Sequence, residues 1–184
     1  MVLYFITGSE KKLREAQLII PEIQGLKLDL PEIQEIDPKK VIEAKLYEAL
    51  KNHRGEFIVE DTSLEFKCLN GLPGTLIKWF LKKLEPMGIY NLVSKYADRT
   101  AIARSYIGYV KQEKGSDDIT VEFFVGEIEG EIVKPTEPYE FGWDPLFKPK
   151  GYDVTFAHMS KEEKNKISHR RKAFERLKKY LQKN

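Results

Sequence analysis

Val2-Leu3-Tyr4-Phe5-Ile6 is a continuous apolar run that ends abruptly at Thr7-Gly8-Ser9, and a polar, helix-forming stretch follows at once. Such a run reads as a strand buried on both faces, because a half-solvated strand would alternate apolar and polar residues. Ser9 is a natural N-cap, so the spacing predicts a helix over residues 10–19. The pattern then repeats. Asp37 caps and Pro38 opens a second helix, and Phe57-Ile58-Val59 is a second buried strand ending in Glu60-Asp61-Thr62-Ser63. Between them Leu26-Lys27-Leu28-Asp29-Leu30 alternates as a strand and stops at Pro31. On the second helix Ile42, Leu46, Ala49 and Leu50 recur at helical spacing, which leaves Val41, Lys45 and Glu48 on a polar face. Two such alternations in the first third of the chain predict an α/β fold with parallel strands in its sheet.

The second half is patterned differently. Gly71-Leu72-Pro73-Gly74 is a turn, and helical stretches follow at 77–84 and 89–96. Residues 100–110 and 119–133 read as long strands joined by a polar loop at 112–118, a hairpin, with another loop at 135–139. The last helix starts near Ser168 and buries Ala173, Leu177 and Leu181. The sum is a mixed, twisted sheet flanked by helices. No repeat or Gly/Ser linker divides it, so residues 1–184 read as a single domain.

Composition narrows the setting. A chain of 184 residues can bury a core without a covalent staple. Its one cysteine, Cys68, excludes an intrachain disulfide and a cysteine-rich zinc site, and fits a reducing compartment. No apolar run reaches the length of a membrane span, and the N-terminus lacks the layout of a signal peptide; a cytoplasmic protein is expected. Net charge is +2, but residues 161–184 carry ten Lys/Arg against three Asp/Glu, leaving −5 on the remaining 160. That tail is either a solvated helix face or a surface for a polyanion.

Four clusters carry chemistry. Thr7 to Lys12 joins a strand end to a helix start, where free N–H groups, the helix dipole and a lysine favour an anion; an ordinary capped helix has the same signature. The chain contains no G-x-x-x-x-G-K-[ST] segment, so this is not a P-loop. Glu60 and Asp61 are adjacent carboxylates at the end of an apolar strand, and Mg²⁺ is a usual partner of such oxygens. Alternation sends the two to opposite faces, and Asp61, nearer the strand end, is the preferred ligand, with Glu32 supplying a second oxygen. Phe141-Gly142-Trp143-Asp144-Pro145-Leu146-Phe147 either packs as core or stacks on a planar ligand. His169 and Arg170 fall at the start of the last helix, where basic side chains gain nothing from the dipole.

Taken together and in order, these segments resemble the inosine triphosphate pyrophosphatase family. The likeness is carried by TGSEKK at 7–12, LPEIQ at 30–34, VEDTSL at 59–64, GLPGTLIKWF at 71–80, FGWDPLF at 141–147 and TFAHMSKEEKNKISHR at 155–170. The resemblance implies an elongated, two-lobed α/β fold with the nucleotide in the cleft between lobes, and a homodimer. It implies Mg²⁺-dependent hydrolysis of non-canonical purine nucleoside triphosphates (ITP, dITP, XTP) to the monophosphate and pyrophosphate, with no nucleic-acid or membrane partner. Carried over by position, Thr7, Gly8, Ser9, Glu10, Lys11 and Lys12 would cradle the phosphates, aided by Lys45 and Lys78. Glu32 and Asp61 would hold the metal, Asp61 would also activate water, and Thr62 would touch the substrate. Phe141 would stack on the base, and Gly142, Trp143 and Asp144 would complete its pocket. Lys164, His169 and Arg170 would close over the nucleotide from the last helix.

The same roles make physical sense: attack at the α-phosphorus needs charge neutralised on several oxygens. As donors, His169 and Arg170 would favour a 6-keto base over adenine, whose amino group would face them. Two positions depart from the family, which usually has Asn at Ser9 and Glu at His158. A pyrophosphatase for modified pyrimidine nucleotides and a non-catalytic nucleotide- or RNA-binding module using the basic C-terminal helix are the alternatives.

Overall fold

The computed structural model describes residues 2–112, 119–137 and 142–183. Strand β1 (Leu3–Ile6) leads through helix α1 (Glu10–Gln17) to β2 (Gln24–Leu26), and helix α2 (Pro38–Asn52) leads on to β3 (Glu56–Phe66). β1 pairs in parallel with both β2 and β3, as strand–helix alternation requires. The short β4 (Pro73–Gly74) pairs antiparallel with β3, and helix α3 (Ile77–Val93) follows it. Long strands β5 (Thr100–Gln112) and β6 (Ile119–Ile132) come next, and β7 (Phe147–Pro149) pairs antiparallel with β6. Helices α4 (Lys161–Ile167) and α5 (His169–Leu181) end the chain. Among the described residues the sheet has seven strands in the order β2-β1-β3-β5-β6-β7, with β4 beside β3, and is mixed.

The chain forms two compact units. One comprises Met1–Asp61, Ser105–Gly126 and His169–Asn184; the other comprises Thr62–Arg104 and Glu127–Ser168. In the first unit, alternation along β3 sorts its side chains between two cores. Phe57 and Val59 pack with Ile6, Ile42, Leu46 and Val110 under α2. Ile58 packs with Phe5, Ala16, Ile107, Phe174 and Leu177 under α1 and α5, where the rings of Phe5 and Phe174 lie 5.6 Å apart. α5 comes so close to β6 that only glycine fits between them. A Cβ at Gly126 would lie 2.1 Å from the His169 carbonyl oxygen and 2.3 Å from the Ala173 nitrogen. In the second unit, Leu64, Phe66, Ile89, Val93, Ala103 and Ile132 pack with Trp143, Phe147 and Phe156.

Several expectations need correction. The alternating segment at 26–30 is not a strand. β2 ends at Leu26 because its partner β1 ends at Ile6, and the last bond of that ladder runs from the Thr7 nitrogen to the Leu26 oxygen. Leu28 and Leu30 are instead partly buried against the core under α2. The strand expected to end in Glu60-Asp61-Thr62-Ser63 continues to Phe66, so Glu60 and Asp61 lie within it rather than at its end. Val41 and Lys45 are buried, so the α2 face assigned as polar is not: the Lys45 stem is covered while its ammonium meets a carboxylate. α1 and α3 end earlier than expected, at Gln17 and Val93. The helical stretches 77–84 and 89–96 are parts of α3, broken where Glu85 takes φ 57° before Pro86. The 113–118 part of the expected hairpin loop and residues 138–141 lie outside the described residues. No helix among the described residues is long and apolar enough to cross a membrane.

Because its neighbours are backbone atoms, Gly126 cannot gain a side chain without displacing α5. Gly126→Ala is expected to cost at least about 2 kcal/mol of stability, measured by urea unfolding. A loss near zero would contradict the close packing.

Candidate active site

In the first unit, β1 runs through Thr7 and Gly8 into the N-terminus of α1. The Ser9 nitrogen donates to Thr7 Oγ1 at 3.1 Å, and Ser9 Oγ accepts from the Lys12 nitrogen at 3.3 Å, so the hydroxyl caps the helix as the sequence predicts. Glu10 is exposed and pairs with Arg14, which suits the dipole of the first turn. A Cβ built on Gly8 meets nothing within 4 Å, so open space lies beside the strand–helix junction. Lys12 turns inward, against dipole preference, toward a carboxylate described below.

Alternation along β3 separates the two acids as expected. Asp61 faces the α2 side: Lys45 Nζ donates to its Oδ1 at 2.6 Å and to the Glu60 carbonyl oxygen at 3.4 Å. The Asp61 side chain keeps 20% of its surface exposed. Glu60 faces the α1 and α5 side, and its side chain has no exposed surface. Its Oε1 accepts from Ser105 Oγ at 2.7 Å and from Arg170 Nε at 2.8 Å, and its Oε2 forms an ion pair with Lys12 Nζ at 3.1 Å. Arg170 Nη1 donates to Glu15 Oε2 at 2.5 Å. Two cations and two carboxylates thus close a neutral network across β3, β5, α1 and α5.

Electrostatics follow from that packing. Burial alone would raise the Glu60 carboxyl, but the charges of Arg170 and Lys12 and the Ser105 hydroxyl outweigh it, holding the pKa down from 4.5 to about 2. Burial opposes the charge on Arg170 as well, and Glu60 and Glu15 more than offset it, raising its pKa. Arg170 is therefore 4% exposed and bound inside the first unit. This explains Arg170 at the start of α5: the dipole cost of its charge there is offset by buried carboxylates. His169 is buried beside it.

The remaining residues assigned from sequence lie on other segments. Glu32 is exposed on an irregular segment after β2. In the second unit, Thr62 is half-buried on β3 and Lys78 is exposed in the first turn of α3. Trp143 packs as core, its ring 5.5 Å from that of Phe147 in an edge-on contact, whereas Gly142 is exposed with φ 50°. Lys164 lies on α4 and not on the last helix; it pairs with the buried Asp144 at 2.5 Å, its ammonium 4.9 Å from the Phe156 ring centre. Phe141 lies outside the described residues. His158 is held by Thr155 Oγ1 at 2.9 Å and by the Glu137 carbonyl oxygen at 2.8 Å, which makes Nε2 the donor. Sequence reasoning set Glu60 aside and missed Ser105 and Glu15. Ser105 had a signal, a hydroxyl in the inward row Ala101, Ala103, Ile107.

A carboxyl whose pKa is lower folded than unfolded stabilises the fold fully above its unfolded pKa, and that stability is lost as pH falls toward the folded one. With Lys12, Arg170 and Ser105 facing it, Glu60 is expected to give a loss of unfolding free energy between pH 4.5 and about 2. Glu60→Gln should flatten that decline in acid titrations followed by circular dichroism. An unchanged acid profile would contradict the assignment.

Comparison with known proteins bears on the fold and the family. The family model described as the Ham1 family matches residues 3–180. The Staphylococcus aureus Ham1 protein is 25% identical with a TM-score of 0.78, covering 98% of each chain. A HAM1 protein from Coxiella burnetii, 23% identical, shares the fold with a TM-score of 0.81 over 99% of this chain and 98% of its own. A structure from Mycobacterium abscessus named as a nucleoside-triphosphatase and dITP/XTP pyrophosphatase is 25% identical, with a TM-score of 0.69 over 96% of this chain and 98% of that one. With strand order, capped α1 and the carboxylates of β3 in place, a match over nearly the whole length means that the chain belongs to the Ham1 family.

Proposed function

We propose that the chain is a nucleoside triphosphate pyrophosphatase that hydrolyses non-canonical purine nucleotides (ITP, dITP and XTP) to the monophosphate and pyrophosphate. The observation that carries this reading is the open space beside Gly8 at the N-terminus of α1, following a parallel strand in a chain of the Ham1 family. Helix N–H groups and lysines there suit a polyanion. The name of the Mycobacterium abscessus relative supports the substrate class.

In this mechanism the triphosphate lies on Thr7, Gly8, Ser9, Glu10, Lys11 and Lys12, with Lys45 and Lys78 adding charge. Asp61, its carboxylate oriented by Lys45 through Oδ1, accepts a proton from the attacking water. The water oxygen bonds to the α-phosphorus, the bond from that phosphorus to the bridging oxygen breaks, and pyrophosphate leaves. Glu32 and Asp61 offer hard oxygen donors, and no cluster of three or more His, Cys, Asp or Glu suited to a metal occurs among the described residues. That donor set fits Mg²⁺, which is held by one or two carboxylates together with substrate phosphates rather than by an all-protein cage. When bound by Glu32 and Asp61, Mg²⁺ supplies charge neutralisation on phosphate oxygens. Thr62, Phe141, Gly142, Asp144, Lys164, His169 and Arg170 are assigned to substrate and base recognition, and Trp143 supports that segment from the core. The protein is assigned as a cytoplasmic homodimer.

The test is pyrophosphate release from ITP and ATP side by side, with and without Mg²⁺. Metal-dependent release from ITP with ATP nearly inert is expected. Equal rates would refute selection through the 6-keto group, and no turnover on either would refute the activity. Gly8→Ala places a methyl in the open space, where no atom lies within 4 Å of it. It should leave unfolding free energy within about 0.5 kcal/mol and raise KM for ITP by about tenfold.

A further inference from the structure

We infer that Glu60 is a positioning residue that ties the setting of Arg170 to whether Lys12 is engaged by the substrate's phosphates. The inference rests on the proposed seating of the triphosphate at the N-terminus of α1. Within the first unit Glu60 holds both cations, one at each oxygen: Lys12 at Oε2 and Arg170 at Oε1. Ser105 fixes the carboxylate from β5, and Glu15 on α1 holds the other end of Arg170. Lys12 is the member most open to solvent, its side chain 19% exposed against none for Glu60.

An anion arriving at the start of α1 therefore meets Lys12 first. Lys12 has three donors on one nitrogen, so a phosphate draws its charge outward and loosens its hold on Oε2. The Glu60 charge then falls more heavily on Oε1, where Arg170 and Ser105 sit. In a site excluded from water such a redistribution is poorly screened, and the Arg170 hydrogen bond responds. Glu60 thereby links two residues 158 positions apart in sequence, Lys12 and Arg170, through a single carboxylate. Asp61, on the opposite face of β3, takes no part.

The experiment is a titration of the full ¹⁵N-labelled chain with inorganic tripolyphosphate, which carries no base. Backbone amides of Gly8 to Lys12 report binding, and the Arg170 Nε–H resonance reports the link. In the unaltered protein, tripolyphosphate is expected to shift both. In Glu60→Gln the amides still shift and the Arg170 response is lost. Glu60→Asp, which keeps the buried charge but is too short to hold both cations, is expected to give the same loss and serves if Glu60→Gln does not fold. Amide shifts with a silent Arg170 in the unaltered chain would overturn the inference while leaving the phosphate site standing. An undiminished Arg170 response in either variant would also overturn it. Absence of any amide shift would remove the phosphate site itself, and the inference with it.

Discussion

A fully buried carboxylate at Glu60 is the constraint on which the first unit turns. An ionised group there is tolerable only if cations and a hydroxyl surround it, and removing one partner of a buried pair costs several times what an exposed pair is worth. Lys12 and Arg170 answer the charge, Ser105 adds a hydrogen bond, and Glu15 balances the second cation. These demands bring the first turn of α1 and the start of α5 to the same face of β3. The absent side chain at Gly126 lets α5 approach closely enough for Arg170 to reach. A charge buried in the sheet thus fixes where the N-terminal end of α1 lies.

The neighbouring acid has the opposite character. Asp61 retains exposed surface and is held by one lysine from α2. One residue of displacement along a strand turns a side chain to the other face, so an acid pair adjacent in sequence is divided between two environments. Glu60 is enclosed by its partners, whereas Asp61 keeps part of its side chain open to solvent. The Gly8 junction adds the third element, an uncrowded helix N-terminus beyond a parallel strand, the place where ligands of open α/β sheets bind.

Much of this was legible in the sequence because the signals were local. The unbroken run at β1, the Ser9 cap, the Asp37-Pro38 helix start and the split of Glu60 from Asp61 each depend on residues within one turn or a few strand positions. Six motifs in register carried the family resemblance. The failures were tertiary. Leu26 to Leu30 alternates as a strand should, but β1 ends before it could pair. Lys45 reads as a polar-face lysine until Asp61 is placed beside it. Arg170 gives no sign of its carboxylate partners, which lie 110 and 155 residues away in sequence. No periodicity reports a charge pair over such distances.

The central claim is that β3 gives its two adjacent carboxylates separate jobs, structure to Glu60 and chemistry to Asp61. The most direct measurement compares ITP turnover and urea unfolding at neutral pH in Asp61→Asn. The account predicts that turnover is abolished while unfolding free energy changes by less than about 1 kcal/mol, since the amide keeps an oxygen for Lys45. Turnover close to that of the unaltered protein would contradict it.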